Sequence, residues 1–275
     1  MWAIKKPDLL VAKNDLDKVI AHAQKLKNED KPVLENLYTQ YDSKGYCTDA
    51  ELSVIEDVKA DNILQQYHKT YGSDVLSFIA SDLKKGIDRC PYCGIGGIQH
   101  LDHYMDKSTN KALSVCRLNL VPSCGTCNTT KTNMNYTGFV HPYYPNINAG
   151  IVFLKCDVTI HNHSMILNFH ADRAVLNNTK ANQVDAQISN LNLNERYKAA
   201  CNDYLSSILG YTKCRTDKGL RAFLTMELQK QRKALKPNDW HCAFLQGLLD
   251  CANFDIAFAR HYVGLIPAVN GGEGL

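Results

Sequence analysis

The sequence predicts an α+β protein in which a mostly helical chain surrounds one small, cysteine-clamped centre. Three observations predict it. Apolar residues recur at helical spacing in residues 1–89 and again from 173 onward. Between these regions the character changes, and residues 90–131 carry two Cys-x-x-Cys pairs, Cys90/Cys93 and Cys124/Cys127, on either side of short β-like runs. Beyond them, 151–160 and 164–170 are rich in Val, Ile and Phe and pattern as the two strands of a hairpin. A chain of 275 residues, 45% of them hydrophobic, can bury a substantial core. The composition shifts predict three parts: a helical region 1–89, a central part 90–172 that includes the hairpin, and a helical region 173–275.

In order, Pro7 suits a first helical position, and Leu9, Leu10, Leu16, Val19 and Ile20 make one apolar face. A second helix is expected over 31–41, ended by the turn Ser43-Lys44-Gly45. Thr48 followed by Glu51 is a capping box for a third, longer helix carrying Leu52, Ile55, Val58, Ile63, Leu64 and Tyr67. Ser73 can cap a fourth, which Gly86 ends. In the centre, the turn Gly94-Ile95-Gly96-Gly97 leads to a strand over 98–104, and a loop runs to Arg117. A strand over 119–121 and a short helix over 125–135 follow. The glycine turn lacks the Lys-Ser/Thr and long helix of a phosphate loop, so it reads as a knuckle turn. After the hairpin, helices are expected over 173–188, 194–209, 216–235 and 239–262, with Pro237 breaking the last pair and a disordered Gly-rich tail.

Charge and cysteine usage narrow the function classes. The formal net charge is only +3, with 13 basic and 15 acidic residues in 1–89, 4 and 2 in 90–131, and 14 and 11 in 132–275. Any footprint for phosphate is therefore a local patch rather than a property of the whole chain. Arg221, Lys230, Arg232, Lys233 and Lys236 cluster in one helix and its end, as a solvated face does; a phosphate-tracking patch is the other use. No membrane span or signal peptide is indicated, which predicts a cytoplasmic protein. Seven further cysteines (Cys47, Cys116, Cys156, Cys201, Cys214, Cys242, Cys251) have no framework spacing, as expected of reduced thiols used as small apolar residues.

Two short knuckles can deliver four soft thiolates to one tetrahedral Zn2+, and a sphere closed by four protein ligands predicts a structural metal. Asp102-His103, Asn119 and Asn128 lie inside or directly after this frame. A second trio, His161-Asn162-His163, sits at the hairpin turn with no carboxylate nearby in sequence and reads as a coincidence of letters. His100 and His141 read as packed or surface histidines, with His141 close enough after the motif to allow a substrate contact, and Asp106 reads as a solvated loop residue whose other use is a carboxylate for a metal.

The order Cys-x-x-Cys, Asp-His, Asn-Leu-Val-Pro-x-Cys-x-x-Cys-Asn-x-x-Lys resembles the HNH endonuclease family, in its four-cysteine subgroup with a final Asn. The resemblance covers about 42 residues, those numbered 90–131. It implies a ββα-metal module at the centre of the chain. It also implies His103 as general base, and one catalytic divalent cation, Mg2+ or Mn2+, held by Asp102 and Asn128. Asn119 would bond backbone across the loop and fix the His103 ring, and Lys131 would contact a substrate phosphate. Adjacent residues of a regular strand face opposite ways and cannot both face a phosphate unless the strand bends or ends there, so irregular backbone is expected at Asp102 and His103. Asp106 and Arg117 stand where relatives often carry proline.

The function expected is metal-dependent hydrolysis of phosphodiesters, DNA favoured as partner. The resemblance suggests the effector of a bacterial anti-phage system acting beside a partner ATPase. The same residues serve a nuclease directed at RNA, and the knuckles alone serve a zinc-stabilised module that binds nucleic acid or protein without catalysis.

Overall fold

The computed structural model describes residues 3–132, 134–148, 150–162, 164–210 and 214–262. It is mostly helical with two separate two-stranded antiparallel sheets, an α+β architecture. It divides into two compact units, 1–149 and 150–275.

The first unit begins with α1 (Leu9–His22), whose N-cap is Asp8; its carboxylate accepts from the amides of Leu10 and Val11. Pro7 therefore lies before the cap rather than in the first turn. Leu16, Val19 and Ile20 are buried along one face, each contributing roughly 1.5–3 kcal/mol in the usual range for a buried aliphatic side chain. Next, α2 (Lys31–Lys44) stops at Gly45 in the left-handed region, φ 83°. A Cβ there would also sit 2.9 Å from the Tyr144 ring, so both backbone and packing require glycine.

The Thr48/Glu51 capping box forms, but it opens only the one-turn α3 (Asp49–Leu52). A second start at α4 (Asp57–Gln66) splits the single long helix expected, and a 3-10 turn, Tyr67–Thr70, follows. Periodicity ran through this break because Leu52, Ile55 and Ile63 keep helical spacing across it. α5 (Ser77–Lys84) begins after Leu76 with no side-chain cap, so Ser73 does not cap it; Gly86, at φ 73°, comes just past its end.

A hairpin of β1 (His100–His103) and β2 (Leu120–Ser123) follows, in the register His100 opposite Ser123 and His103 opposite Leu120; α5 packs on β2, and α4 packs on the turn Lys111–Leu113 between the strands. α6 (Gly125–Lys131) closes the ββα arrangement against β1 and ends early, at Thr132 with φ 35°. Arg117 ties the layers together. It is 4% exposed and bonds both oxygens of Asp15 on α1, and it reaches Asp82 on α5 at 3.1 Å.

The second unit is built on the long hairpin of β3 (Leu154–His161) and β4 (Ser164–Ala171), with Asn162 in the left-handed region at the turn. The hairpin packs with α7 (Asn178–Asn190), α8 (Leu193–Gly210) and α10 (Trp240–Asp250), and α9 (Asp217–Ala234) packs on α10. The hairpin thus falls in the same compact unit as the C-terminal helices. α7 starts at its Asn177 cap, later than expected. The last expected helix is two, α10 and α11 (Ile256–Tyr262), because Asp255 accepts from the Phe258 amide and restarts the chain. The basic cluster on α9 is largely engaged. Arg221 bonds the Leu249 and Cys251 carbonyls, Arg232 bonds Gln246, and Lys230 pairs with Glu227. His163 and the Gly-rich tail lie outside the described residues.

Candidate active site and metal centre

The cysteine quartet comes together as the spacing predicted. All four are buried, and their Sγ atoms lie within 4.8 Å of one another. Sulfurs bound at about 2.3 Å around a tetrahedral zinc sit about 3.8 Å apart. Cys93 Sγ and Cys124 Sγ are separated by 3.8 Å, so the residues present fit that ion. Local sequence explains the geometry. Gly94 takes φ 73°, letting its amide bond the Cys90 carbonyl at 2.7 Å. A Cβ on Gly96 would meet Cys124 Sγ at 2.9 Å, so the two knuckles can close only over glycine. Amides of Ile95 and Cys127 point at Cys93 Sγ and Cys124 Sγ, at 3.5 and 3.4 Å. With four protein ligands the sphere of a zinc held here would have no open position, and such an ion would be structural.

β1 carries Asp102 and His103 with regular pairing, and the ladder continues through the Tyr104 amide to the Asn119 carbonyl, 2.8 Å. The irregular backbone expected there is absent. The two side chains leave the strand on opposite faces, as strand geometry demands. Asp102 turns toward α6 and the first knuckle, where the Tyr92 hydroxyl donates to Oδ2 at 2.8 Å and the Lys131 ammonium lies 3.2 Å from the same oxygen. Burial raises its carboxyl above the ordinary carboxylate value, with the Lys131 charge and the Tyr92 hydrogen bond pulling the other way.

His103 turns toward the connection between the strands. Its Nε2 lies 2.9 Å from the Ser114 carbonyl, and its ring meets the edge of Tyr67 at 4.4 Å between centroids. A carbonyl can only accept, so Nε2 carries the proton and Nδ1 keeps its lone pair. Burial lowers the imidazole to about 3, so it is neutral at physiological pH.

The remaining expected residues separate into two groups. Asn119 is fully buried and all its polar capacity is spent. Nδ2 donates to the Met105 and Leu113 carbonyls, and Oδ1 accepts from the Met105 amide and the Tyr41 hydroxyl. It closes the 105–113 loop at both ends. Asn128 is half-buried on α6, three residues before Lys131 and hence on the same side of the helix as the lysine that reaches Asp102.

Lys131 does not stand where a phosphate contact would be. It is 0% exposed, and its ammonium donates to the His103 and Tyr104 carbonyls at 2.7 and 3.0 Å besides pairing with Asp102. That lysine holds the end of β1 onto α6, a role its place one turn after Asn128 could not reveal. Asp106 accepts from Ser108 and Thr109 in its own loop.

Several contributors escaped the sequence reading. Tyr67 donates to the Leu101 carbonyl at 2.9 Å and Tyr71 accepts from the Leu101 amide at 3.2 Å, so two tyrosines cap the outer edge of β1. Tyr41 and His141 join Asn119 from 78 positions before it and from beyond α6. Only His141 carried a signal, as a histidine close after the motif. Among the described residues the cysteine quartet is the sole convergence of three or more His, Cys, Asp or Glu ligands. A second cation would therefore rest on one carboxylate and an amide carbonyl, with the other positions left to water and phosphate oxygens, a donor set that suits Mg2+.

Residues 90–134 match the family model described as HNH endonuclease. The ββα unit of β1, β2 and α6 is thus the core of an HNH domain, and the family points to nuclease chemistry on nucleic acid. No curated protein and no solved structure matches the chain.

Proposed function

We propose that this protein is a metal-dependent endonuclease that hydrolyses phosphodiester bonds in DNA, with His103 as the general base. The observation that carries this reading is the placement of a neutral imidazole and a carboxylate on opposite faces at the end of one strand. In-line displacement needs the attacking water and the departing oxygen on opposite sides of phosphorus. A phosphate seated at the end of β1 would have His103 on one side and Asp102 with Asn128 on the other.

His103 is poised for its part because its Nε2 proton is committed to the Ser114 carbonyl, leaving Nδ1 to take a proton from water. Asp102 and Asn128 would hold the cation, Asp102 through Oδ1, since both of its donors converge on Oδ2. A divalent cation bound there would neutralise charge developing on the phosphate and on the leaving 3′ oxygen. Asn119 fixes the loop that presents Ser114 to the base.

The direct test is cleavage of supercoiled plasmid with Mg2+ or Mn2+. Activity abolished by EDTA and reduced about 10²- to 10⁴-fold in His103→Ala is expected for a general base. Cleavage at the wild-type rate in that variant would remove His103 from the mechanism. No cleavage with any divalent ion, together with retained nucleic-acid binding, would favour the zinc-stabilised binding module, and parallel digestion of RNA separates the two nuclease readings.

The cellular reading is a cytoplasmic effector of anti-phage defence regulated by a partner ATPase. No described helix is long and apolar enough to cross a membrane. The defence role rests on the family resemblance and predicts protection from phage that His103→Ala abolishes.

A further inference from the structure

We propose that Tyr41 and His141, both buried, are positioning residues that hold the His103 ring in register through Asn119. The inference rests on the nuclease reading for its catalytic meaning, while its geometric content stands independently.

The chain of contacts is continuous and its direction is fixed at each step. His141 is 4% exposed, and its Nδ1 accepts from the Tyr143 amide at 3.2 Å. An atom that accepts from an N–H carries no proton of its own, so the neutral ring bears its proton on Nε2. That nitrogen lies 3.1 Å from Tyr41 Oη and therefore donates to it. The Tyr41 hydroxyl, its oxygen so occupied, sends its single proton to Asn119 Oδ1, also 3.1 Å away.

Asn119 then has two donors on its oxygen and two acceptors at its nitrogen, which excludes the flipped amide. Its nitrogen grips Met105 and Leu113, the two ends of a loop whose next residue is Ser114, the partner of His103 Nε2. Ring contacts hold the far end of the relay in place. Tyr104 lies against His141 at 3.8 Å between centroids, and Tyr144 meets it edge-on at 4.8 Å.

A side chain on α2, outside the matched segment, thereby acts on the tautomer and orientation of the base. No titration is involved, because protonating His141 Nδ1 would set two hydrogens against each other at the Tyr143 amide.

The test uses the full chain loaded with zinc. Long-range 1H–15N spectra at pH 7.5 are expected to show His103 and His141 each as the Nε2–H tautomer, with the His103 pattern averaging toward a mixture in Tyr41→Phe and in His141→Leu. His141→Gln keeps a donor toward Tyr41 and is expected to restore the wild-type His103 pattern. A His103 ring protonated on Nδ1 in the wild type, or one unchanged in all three variants, overturns the proposal. Should Tyr41→Phe fail to fold, the His141→Leu and His141→Gln pair decides.

Kinetics supply the second readout. Losing one such hydrogen bond is expected to lower kcat roughly ten-fold in Tyr41→Phe with KM for DNA nearly unchanged. The same substitution is expected to add nothing in a His103→Ala background. An equal loss in both backgrounds would show damage that does not pass through His103. If the wild type cleaves nothing with any metal, the nuclease reading falls while the tautomer spectra still decide the positioning claim.

Discussion

Replacing Lys131 with methionine separates the buried anchor seen here from a phosphate contact. Methionine keeps much of the volume, so packing against Tyr104 and Phe139 is largely retained, and what is lost is the ammonium. Its removal leaves Asp102, 3% exposed, with the Tyr92 hydroxyl at Oδ2, and takes a donor from the His103 and Tyr104 carbonyls. Breaking a buried ion pair on one side costs about 3–5 kcal/mol, and the two carbonyls keep the sum at the upper end of that range. For a unit of this size 1 kcal/mol moves Tm by about 2–4 °C, so the first unit is expected to melt about 10–20 °C lower. Calorimetry of the zinc-loaded chain at pH 7 measures it, and Lys131→Met combined with Asp102→Asn should recover part of the loss by removing the stranded charge. A Tm within about 2 °C of wild type, with a shallower salt dependence of DNA binding, would refute the argument and restore Lys131 to the phosphate.

Four other perturbations test separate links. Zinc is expected at one ion per chain by metal analysis, and Cys93→Ser should release it and unfold the first unit, whose two knuckles it would join. Arg117→Met strands Asp15 at 7% exposure and should cost about 3–5 kcal/mol in urea unfolding, most of it recovered by adding Asp15→Leu. Gly247→Ala should destabilise the second unit by about 1–3 kcal/mol in the same assay, since a Cβ there runs into the Cys156 carbonyl and lies 2.9 Å from Val158. The pH dependence has a definite sign. His103 at about 3 in the fold, against 6.5 unfolded, binds fewer protons in the native state between those values. Stability is then lost as pH falls below about 6.5, by about 2 kcal/mol from His103 alone between pH 6.5 and 5. His103→Gln should flatten the urea-derived profile by that amount, and an unchanged profile would contradict the buried neutral ring.

The parts legible in the sequence are those that local chemistry decides. Two Cys-x-x-Cys pairs can satisfy one zinc and little else, so the clamp followed from spacing, while the two strands and helix it frames followed as a unit from the family resemblance. Thr48 with Glu51 marked a helix start because a capping box needs only four consecutive residues, and Asn162 and Gly45 marked chain reversals because few side chains tolerate their backbone angles. Helix lengths were less legible. The breaks after Leu52 and Asp250 come from later caps that compete with an unbroken apolar period.

What tertiary structure alone decided is where each polar group found its partner. A lysine one turn past an asparagine reads as a surface cation until the fold places it under two carbonyls and a carboxylate, where burial makes those bonds obligatory. Tyr41 and His141 are joined to Asn119 across 78 and 22 positions, and Arg117 to Asp15 across 102, separations over which a single sequence carries no periodicity. Which element owns the long hairpin was settled the same way, by the apolar faces that α7, α8 and α10 offer it. The sequence determined which side chains are available to the centre, because residue identities are covalent facts. Only folding determined which of those side chains are spent on holding the centre together, because that depends on who is close enough to accept a proton when water is excluded.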